Sequence, residues 1–322
     1  MAEPWRVALE RAQSTAPNPS TLHSVIESLM PGAGIAAVHP LIGGIGAVMH
    51  RIDLDSASGE RRSIVLRQLM PEWGEGPDDL RRQVATHAFL SEEGLVPVPG
   101  VLWNDASGDA FGRPAFLMQF VDGRPIVGDL ADPLAVDALA STLSDIHALR
   151  RLPTHLESAR TERAHLEAFG VNRSHSELVD ADALRAALRD HVTDEETGVA
   201  LIHRDYHGGN VLWGGAKVTA VLDWPLAAIG SPHYDEAYAH ADTWLAWGDE
   251  TARRFRDRYR AFSGSDLDVD RQRFWDLTAV VRFLPSPDSM GLVDAYRATG
   301  CVDITSEQLD TRYVELAERL LA

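Results

Sequence analysis

The stretch Leu201–Tyr234, LIHRDYHGGNVLWGGAKVTAVLDWPLAAIGSPHY, decides how the rest of the chain is read. Two apolar strand-like runs, Asn210–Trp213 and Val218–Leu222, flank a Gly214-Gly215 turn, and short glycine-containing connections between such runs signal a hairpin. Polar residues crowd its outer end, with His203, Arg204 and Asp205 before it and Asp223 after it. A hairpin with a loop of about four residues brings Asn210 and Asp223 to the same end, with Asp223 about two positions, or roughly 7 Å, beyond the residue paired with Asn210. An amide oxygen and a carboxylate so placed suit one Mg²⁺, which takes oxygen ligands. The pattern H-x-D-x-x-x-x-N made by His203, Asp205 and Asn210, followed thirteen residues later by Asp223, points to phosphoryl transfer. In that chemistry the protein clamps the phosphates and orients the acceptor hydroxyl rather than supplying covalent steps. Asp205 is the candidate to orient the hydroxyl and take its proton, and Asn210 and Asp223 are the candidate metal ligands. Two competing readings exist. In one, His203 and Asp205 are no more than braces of a turn. In the other, His203, Asp205 and His207 are the ligands of a metal hydrolase, which needs an open metal position.

The totals narrow the field. A chain of 322 residues suits two domains or lobes, and a hydrophobic fraction of 45% is ordinary for a globular protein. No apolar run approaches the roughly 20 residues of a membrane span, and MAEPWRVALERAQS at the N-terminus lacks the apolar segment of a signal peptide. The single cysteine, Cys301, forbids an intrachain disulfide and a Cys-rich metal site. These features point to the cytoplasm and to no membrane partner. A formal charge of −18 argues against a nucleic-acid backbone as partner and is compatible with a cationic substrate. Lys217 is the only lysine; every other fixed cation is arginine.

Working outward, the segment before residue 36 reads as helical and peripheral. Pro19-Ser20-Thr21 starts a helix with Leu22, Ile26 and Leu29 on one face. Pro40–Ile52 reads as a strand-like run holding Gly43, Gly44 and Gly46, where backbone N–H groups can approach a phosphate closely. Ser63–Met70 alternates as a strand with Arg67 as its charged residue. Asp78 and Asp79 are N-cap candidates for a helix that ends at Gly94, and Val101–Trp103 and Ala115–Val121 follow as strands. From Asp132, with Pro133 in the first turn, the pattern turns helical and remains so through most of residues 235–322. The expected architecture is α+β. Residues 1–121 form a β-rich nucleotide-binding lobe with a helical extension, and residues 122–322 form a helical lobe carrying the catalytic loop and acceptor site.

HRDYHGGNVLW followed by VLDW resembles the aminoglycoside phosphotransferase family, small-molecule kinases whose fold is similar to that of protein kinases. The resemblance extends to LIGGIGAV, IVLR, VPVPGVLW, FLMQFVDGRP, the DIHAL helix end and Ser231–Tyr238. It implies Asp205 as catalytic base, Asn210 and Asp223 as magnesium ligands, and ATP or GTP as phosphoryl donor to a small-molecule alcohol. It implies a hinge at FLMQFV, where the Gln119 carbonyl and the Val121 N–H contact adenine. It makes Asp235 a brace of the catalytic loop and gives His207 a structural role.

Two departures mark the nucleotide side. The position of the kinase strand lysine holds Arg67, which can grip phosphate with two donors but in a different geometry. The position of the partner glutamate holds Gln83, whose amide oxygen can accept a hydrogen bond from Arg67 but cannot form an ion pair. On the acceptor side, Val218–Ala252 carries Asp223, Asp235, Glu236, Asp242, Asp249 and Glu250 with no Lys or Arg, which reads first as a solvated acidic helix face. If Asp242, Asp249 or Glu250 lines the acceptor pocket, it favours a cationic substrate of the aminoglycoside type, with antibiotic resistance and metabolism both open as roles. Trp244 and Trp247 suit a macrolide or another bulky alcohol. A metabolic kinase and an inactive nucleotide-binding relative remain as alternatives.

Overall fold

The computed structural model describes residues 16–41, 47–56, 59–71, 75–159, 161–194, 198–265 and 269–322. The chain divides into two compact units. One comprises Met1–Glu92 with Val98–Val121, the other Glu93–Pro97 with Asp122–Ala322.

The first unit opens on helix α1 (Pro19–Leu29). Asn18 caps it, its Oδ1 accepting from the N–H groups of Ser20 and Thr21, so the cap lies one residue ahead of the proline. A five-stranded antiparallel sheet follows, built from β1 (Gly34–Leu41), β2 (Ala47–Asp55), β3 (Arg61–Leu69), β4 (Val101–Asp105) and β5 (Ala115–Gln119) in the order β1-β2-β3-β5-β4. Strand β1 lies in a region the sequence divides between helix and a single later strand. Pro40 fits there because β1 is an edge strand, where a missing N–H costs no ladder bond. Residue alternation sorts the sheet's two faces. Ile64 and Leu66 join Leu22, Ile26, Ile52 and Leu117, while Val65 and Leu69 join Leu80 of helix α2 (Pro77–Glu93), Phe116 and Met118. Arg67 pairs with Phe116 and Met49 on the second of these faces and is almost fully buried. Asp78 and Asp79 sit in the first turn of α2 rather than at its cap, and Asp79 accepts from the Gly76 N–H at 2.7 Å.

The second unit is mainly helical. It contains a short strand β6 (Arg124–Pro125), helix α3 (Pro133–His147) capped by Asp132, α4 (Glu162–Phe169), α5 (Ala181–Asp190), β7 (Ala200–Ile202), β8 (Val211–Trp213), β9 (Val218–Val221) and β10 (Ala228–Gly230). Helices α6 (His233–Trp247), α7 (Asp249–Ser263), α8 (Val269–Arg282), α9 (Leu292–Ala298) and α10 (Ser306–Leu321) complete it. Two small sheets, β6-β8-β9 and β10-β7, frame the segment quoted above. No helix among the described residues is long and apolar enough to cross a membrane.

Helix α6 is buried on all sides from Tyr234 to Ala246 and packs against α7, α8 and α10. A helix in that position normally carries apolar residues all round, yet this one carries Asp235, Glu236, His240 and Asp242. Each buried charge there needs a partner. Glu236, fully buried, is held by Arg256 at 3.2 Å, Arg260 at 3.1 Å and His233 at 3.1 Å. Burial alone would raise its carboxyl, but the His233 hydrogen bond and the Arg256 and Arg260 charges outweigh it, so the group lies below its ordinary value. A depressed carboxylate contributes stability that is fully present above its unfolded value and is lost as pH falls through the folded one. Glu236→Gln is therefore predicted to cost about 1.5–3 kcal/mol at neutral pH, the worth of hydrogen bonds to a charged group, since Arg256 keeps Asp276 and Arg260 keeps Gln272. The gap from wild type should narrow below the ordinary carboxyl value of 4.5. Denaturant unfolding at several pH values measures both; equal stability at neutral pH would contradict the role assigned to Glu236.

Candidate active site

The site is assembled where β7, β8 and the start of α6 meet. His203 follows β7 and is fully buried. Its Nε2 lies 2.8 Å from the Leu222 carbonyl, and its Nδ1 accepts from the Asp205 N–H at 3.3 Å. That pattern requires the neutral ring with the proton on Nε2, and burial, the largest influence, pulls the imidazole below its ordinary pKa. With both nitrogens engaged by backbone, His203 cannot ligate a metal alongside Asp205 and His207. Among the described residues no cluster of three or more His, Cys, Asp or Glu could hold a metal ion. The hydrolase reading therefore lacks its ligand set.

Asp235, fully buried near the start of α6, fastens the catalytic loop. Its Oδ2 accepts from the His203 N–H at 2.6 Å and its Oδ1 from the Arg204 N–H at 2.8 Å. Oδ2 also lies 3.3 Å from Nε2 of His147, whose Nδ1 lies 2.8 Å from the Tyr259 hydroxyl. His147 is thus a packed histidine two steps removed from Asp205. Arg204 has a φ of 65°, a left-handed conformation uncommon for a side-chain-bearing residue, and the two bonds to Asp235 hold the chain leading into it.

Asp205 comes next. Arg282, at the end of α8, donates from Nη2 to Asp205 Oδ1 at 2.6 Å and from Nη1 to the Tyr234 hydroxyl at 2.8 Å and to the Arg204 carbonyl. Its guanidinium also lies 4.1 Å over the Tyr238 ring. Burial would push the Asp205 carboxyl up, but the charge of Arg282, followed by His207, His203 and a hydrogen bond from Tyr238, brings it below the ordinary range. Oδ2 accepts from Asn210 Nδ2 at 3.3 Å, and the same Asn210 nitrogen donates to the Asp205 carbonyl at 3.0 Å. Nε2 of His207 is 4.0 Å from Asp205 Oδ2, and its Nδ1 is 3.9 Å from Oδ2 of buried Asp242. Asp242 is pushed up by burial, while His207 and the Tyr296 hydroxyl, 2.7 Å from its Oδ1, act in the opposite direction.

The hairpin differs from the sequence expectation by one residue. Val211 pairs with Val221 and Leu212 with Ala220, but Trp213 pairs with Val218, so a bulge separates Leu212 from Trp213. The Leu222 N–H donates to the Asn210 carbonyl at 2.8 Å. Asn210 therefore stands opposite Leu222, and Asp223 lies one residue beyond that partner instead of two, closer by roughly one 3.3 Å strand step. Asp223 itself has a φ of 63°. The donor set suits a hard divalent cation. Asn210 spends its amide nitrogen on Asp205 and keeps its amide oxygen as an acceptor, while Asp223, one residue past the Leu222 that pairs with Asn210, adds a carboxylate to the set.

The remaining sequence-derived candidates belong to the first unit. Gly43, Gly44 and Gly46 lie outside the described residues. Gln119 ends β5, with its side-chain Oε1 accepting from the Gly100 N–H at 3.2 Å and its own N–H donating to the Gly100 carbonyl at 2.9 Å. Val121 closes the unit. Arg67 and Gln83 are both buried, yet Gln83 makes no side-chain hydrogen bond among the described residues, so the Arg67–Gln83 bond is not formed. On the acceptor side, Asp249 is paired with Arg253 and Arg319 and Glu250 is exposed, leaving Asp242 as the one of the three beside His207. Trp247 donates to the Val127 carbonyl at 2.7 Å and Trp244 is buried. Arg282 is the site residue that sequence reasoning misses. It lies 77 positions from Asp205, and one arginine among many in a helix carries no mark of its contact.

A small antiparallel sheet unit with one long helix, followed by a helical unit carrying H-x-D-x-x-x-x-N and a hairpin-borne aspartate, defines a protein-kinase-like phosphotransferase fold. Residues 56–284 match the Phosphotransferase enzyme family, and the chain belongs to it. It is similar to hygromycin-B 4-O-kinase from Escherichia coli, at 35% identity over 66 residues. That match spans 20% of this chain and 19% of the relative. Among solved structures, a thermostable mutant of aminoglycoside phosphotransferase APH(4)-Ia in ternary complex with AMP-PNP and hygromycin B superposes with a TM-score of 0.57 at 17% identity, covering 91% of this chain and 98% of that one. The GDP and kanamycin complex of APH(2")-IIia superposes with a TM-score of 0.58 at 20% identity, covering 93% and 97%. At those identities the likeness establishes the fold.

The fastening of the loop by Asp235 generates a prediction. Asp235→Asn keeps the shape but leaves one oxygen for two N–H groups, and an unsatisfied buried donor costs about 1–3 kcal/mol. Amide hydrogen exchange of the peptide around residues 201–206 should accelerate while the α10 peptide stays protected. Unchanged exchange at residues 203–204 would show that the loop is held by other means.

Proposed function

We propose that the protein transfers the terminal phosphoryl group of ATP or GTP to a hydroxyl of a small molecule, with Asp205 orienting that hydroxyl. The observation that carries this reading is the setting of the Asp205 carboxylate. One oxygen is held by Arg282, the other faces Asn210, and the backbone beneath is fastened by Asp235. A carboxylate held below its ordinary range is ionised at neutral pH and is too weak a base to strip a hydroxyl in advance. Its work is to hold the hydroxyl in line and to accept the proton as the new P–O bond forms. Arg282 fixes the carboxylate plane, so the acceptor meets a pre-aligned oxygen rather than a rotating one.

Asn210 and Asp223 would hold Mg²⁺, which when bound supplies charge neutralisation on the phosphate oxygens. Arg67 would contact the nucleotide phosphates, with Gly43, Gly44 and Gly46 providing backbone donors and Gln119 and Val121 the backbone contacts to the base. The proposed acceptor is a polyamine-type alcohol of the aminoglycoside class. The net charge of −18 and the Asp242 carboxylate beside His207 support it, as do family relatives bound to hygromycin B and kanamycin. The absent Arg67–Gln83 bond favours a second reading, a relative that binds nucleotide without turnover.

Asp205→Ala should leave nucleotide binding intact and lower turnover by roughly 10²–10⁴, the worth of a positioned acid–base group. A fully active variant would remove Asp205 from the reaction. Asp223→Ala should abolish the Mg²⁺-dependent part of nucleotide binding in titration calorimetry, and an unchanged isotherm would refute its assignment as a ligand. A product screen across aminoglycosides, macrolides and small metabolic alcohols separates the two readings. Nucleotide-dependent stabilisation without a phosphorylated product on any acceptor selects the binding protein.

A further inference from the structure

A cavity lies wholly within the helical unit, behind the catalytic loop. It encloses about 420 Å³ between α4, α5, α6 and α8, and its apolar walls include Leu166, Phe169, Val171, Leu188, Leu226 and Val281. That volume lies within the range of small-molecule pockets. Its polar lining is what sets it apart. Tyr234 accepts from Arg282. Asn172 spends its amide nitrogen on the carbonyls of Arg282 and Leu284 and its oxygen on the Ser174 N–H. Thr278 donates to the Phe274 carbonyl, and Arg282 is held by Asp205.

Two polar groups of the lining are left over. The Arg204 guanidinium stacks 3.1 Å over the Phe169 ring and stands 6.0 Å from the Tyr234 ring, but it makes no hydrogen bond or ion pair with any described residue. Asp235 and Glu157 act on it only through space, and Asp235 is already committed to backbone N–H groups and His147. Buried His165, with Nδ1 unpartnered, is held neutral, its pKa brought down to about 3 by burial and by the charge of Arg204. Among the described residues no carboxylate lines the cavity. Elsewhere in the unit buried arginines meet acids, as Arg256 does with Asp276 and Glu236. A desolvated guanidinium without a paired counter-charge is costly, and a cation stacked on an aromatic face still presents its N–H edge to an oxyanion.

We infer that this cavity is a binding site for an organic anion, a carboxylate or phosphate monoester on an apolar or aromatic body, with Arg204 gripping the acid group and His165 offering a further hydrogen bond. The site is distinct from the cation-favouring surroundings of Asp242. It adjoins the catalytic loop, since Arg204 precedes Asp205 and Arg282 lines the cavity while holding the Asp205 carboxylate. Anion capture here does not depend on phosphoryl transfer, because it is measured as binding without turnover.

The test uses the full chain and three probes of one shape, 2-naphthoate, 2-naphthyl phosphate and neutral 2-naphthamide, followed by calorimetry and saturation-transfer NMR. The wild type should bind at least one acid about tenfold or more tighter than the amide, the worth of a charge-assisted hydrogen bond. The order of the two acids names the headgroup. Arg204→Gln should erase the preference and Arg204→Lys retain part of it. Val171→Trp, which fills the cavity and leaves the charge in place, should abolish binding of all three and carries the test if Arg204→Gln fails to fold. Equal affinity for acid and amide, a preference that survives loss of the guanidinium, or no binding of either acid by the folded wild type would overturn the inference.

Discussion

The carboxylate of Asp235 is the constraint on which the active region depends. It accepts from two successive backbone N–H groups, those of His203 and Arg204, immediately ahead of the left-handed turn at Arg204. The cost of that conformation is offset by two short hydrogen bonds to a fully buried side-chain acceptor. From this fastening the neighbouring contacts follow. His203 is turned so that one nitrogen bonds the Leu222 carbonyl and the other receives the Asp205 N–H. The catalytic loop and the far strand of the hairpin are thereby joined through one imidazole. The geometry of Asp205, Asn210 and Asp223 is a property of helix α6 as much as of the loop that carries two of them.

Helix α6 can serve as that anchor because its own charges are compensated. Glu236 meets Arg256, Arg260 and His233, Asp242 meets Tyr296, and only then can a helix so rich in acids remain buried along its length. Arginine carries much of this work. In a chain with one lysine, the buried acids Glu236 and Asp276 both meet guanidinium groups, and the planar fork lets Arg282 hold a carboxylate, a phenol and a carbonyl together.

Much of the fold and the core of the candidate site were legible because they depend on local signals. The H-x-D-x-x-x-x-N spacing, the glycine turn, the helix starting at Pro133 and the strand around Arg67 each announce themselves within a dozen residues. What was not legible depends on distance or on register. Strand β1 was hidden because its residues 34–36 follow a helix end and its partner strand lies beyond a glycine-rich connection. The bulge at Leu212/Trp213 moved Asp223 by one place, and no residue type in VLWGGAKV demands a bulge. Arg282 reaches Asp205 from another helix. Gln83 was placed near Arg67 by family spacing, and burial on the shared face does not by itself produce the bond.

The same bulge turns the hairpin into a length gauge. Strand side chains alternate with period two, so the count of residues between Asn210 and its partner Leu222 sets not only how far apart Asn210 and Asp223 lie but which face of the ribbon the chain presents as it enters Asp223. Adding or removing one residue in the Gly214–Lys217 loop without a compensating bulge would carry the aspartate to the opposite side of the ribbon. A two-residue change would preserve its direction. The tip of this hairpin is exposed and chemically undemanding, yet its length is governed by parity, and tolerance there comes in steps of two.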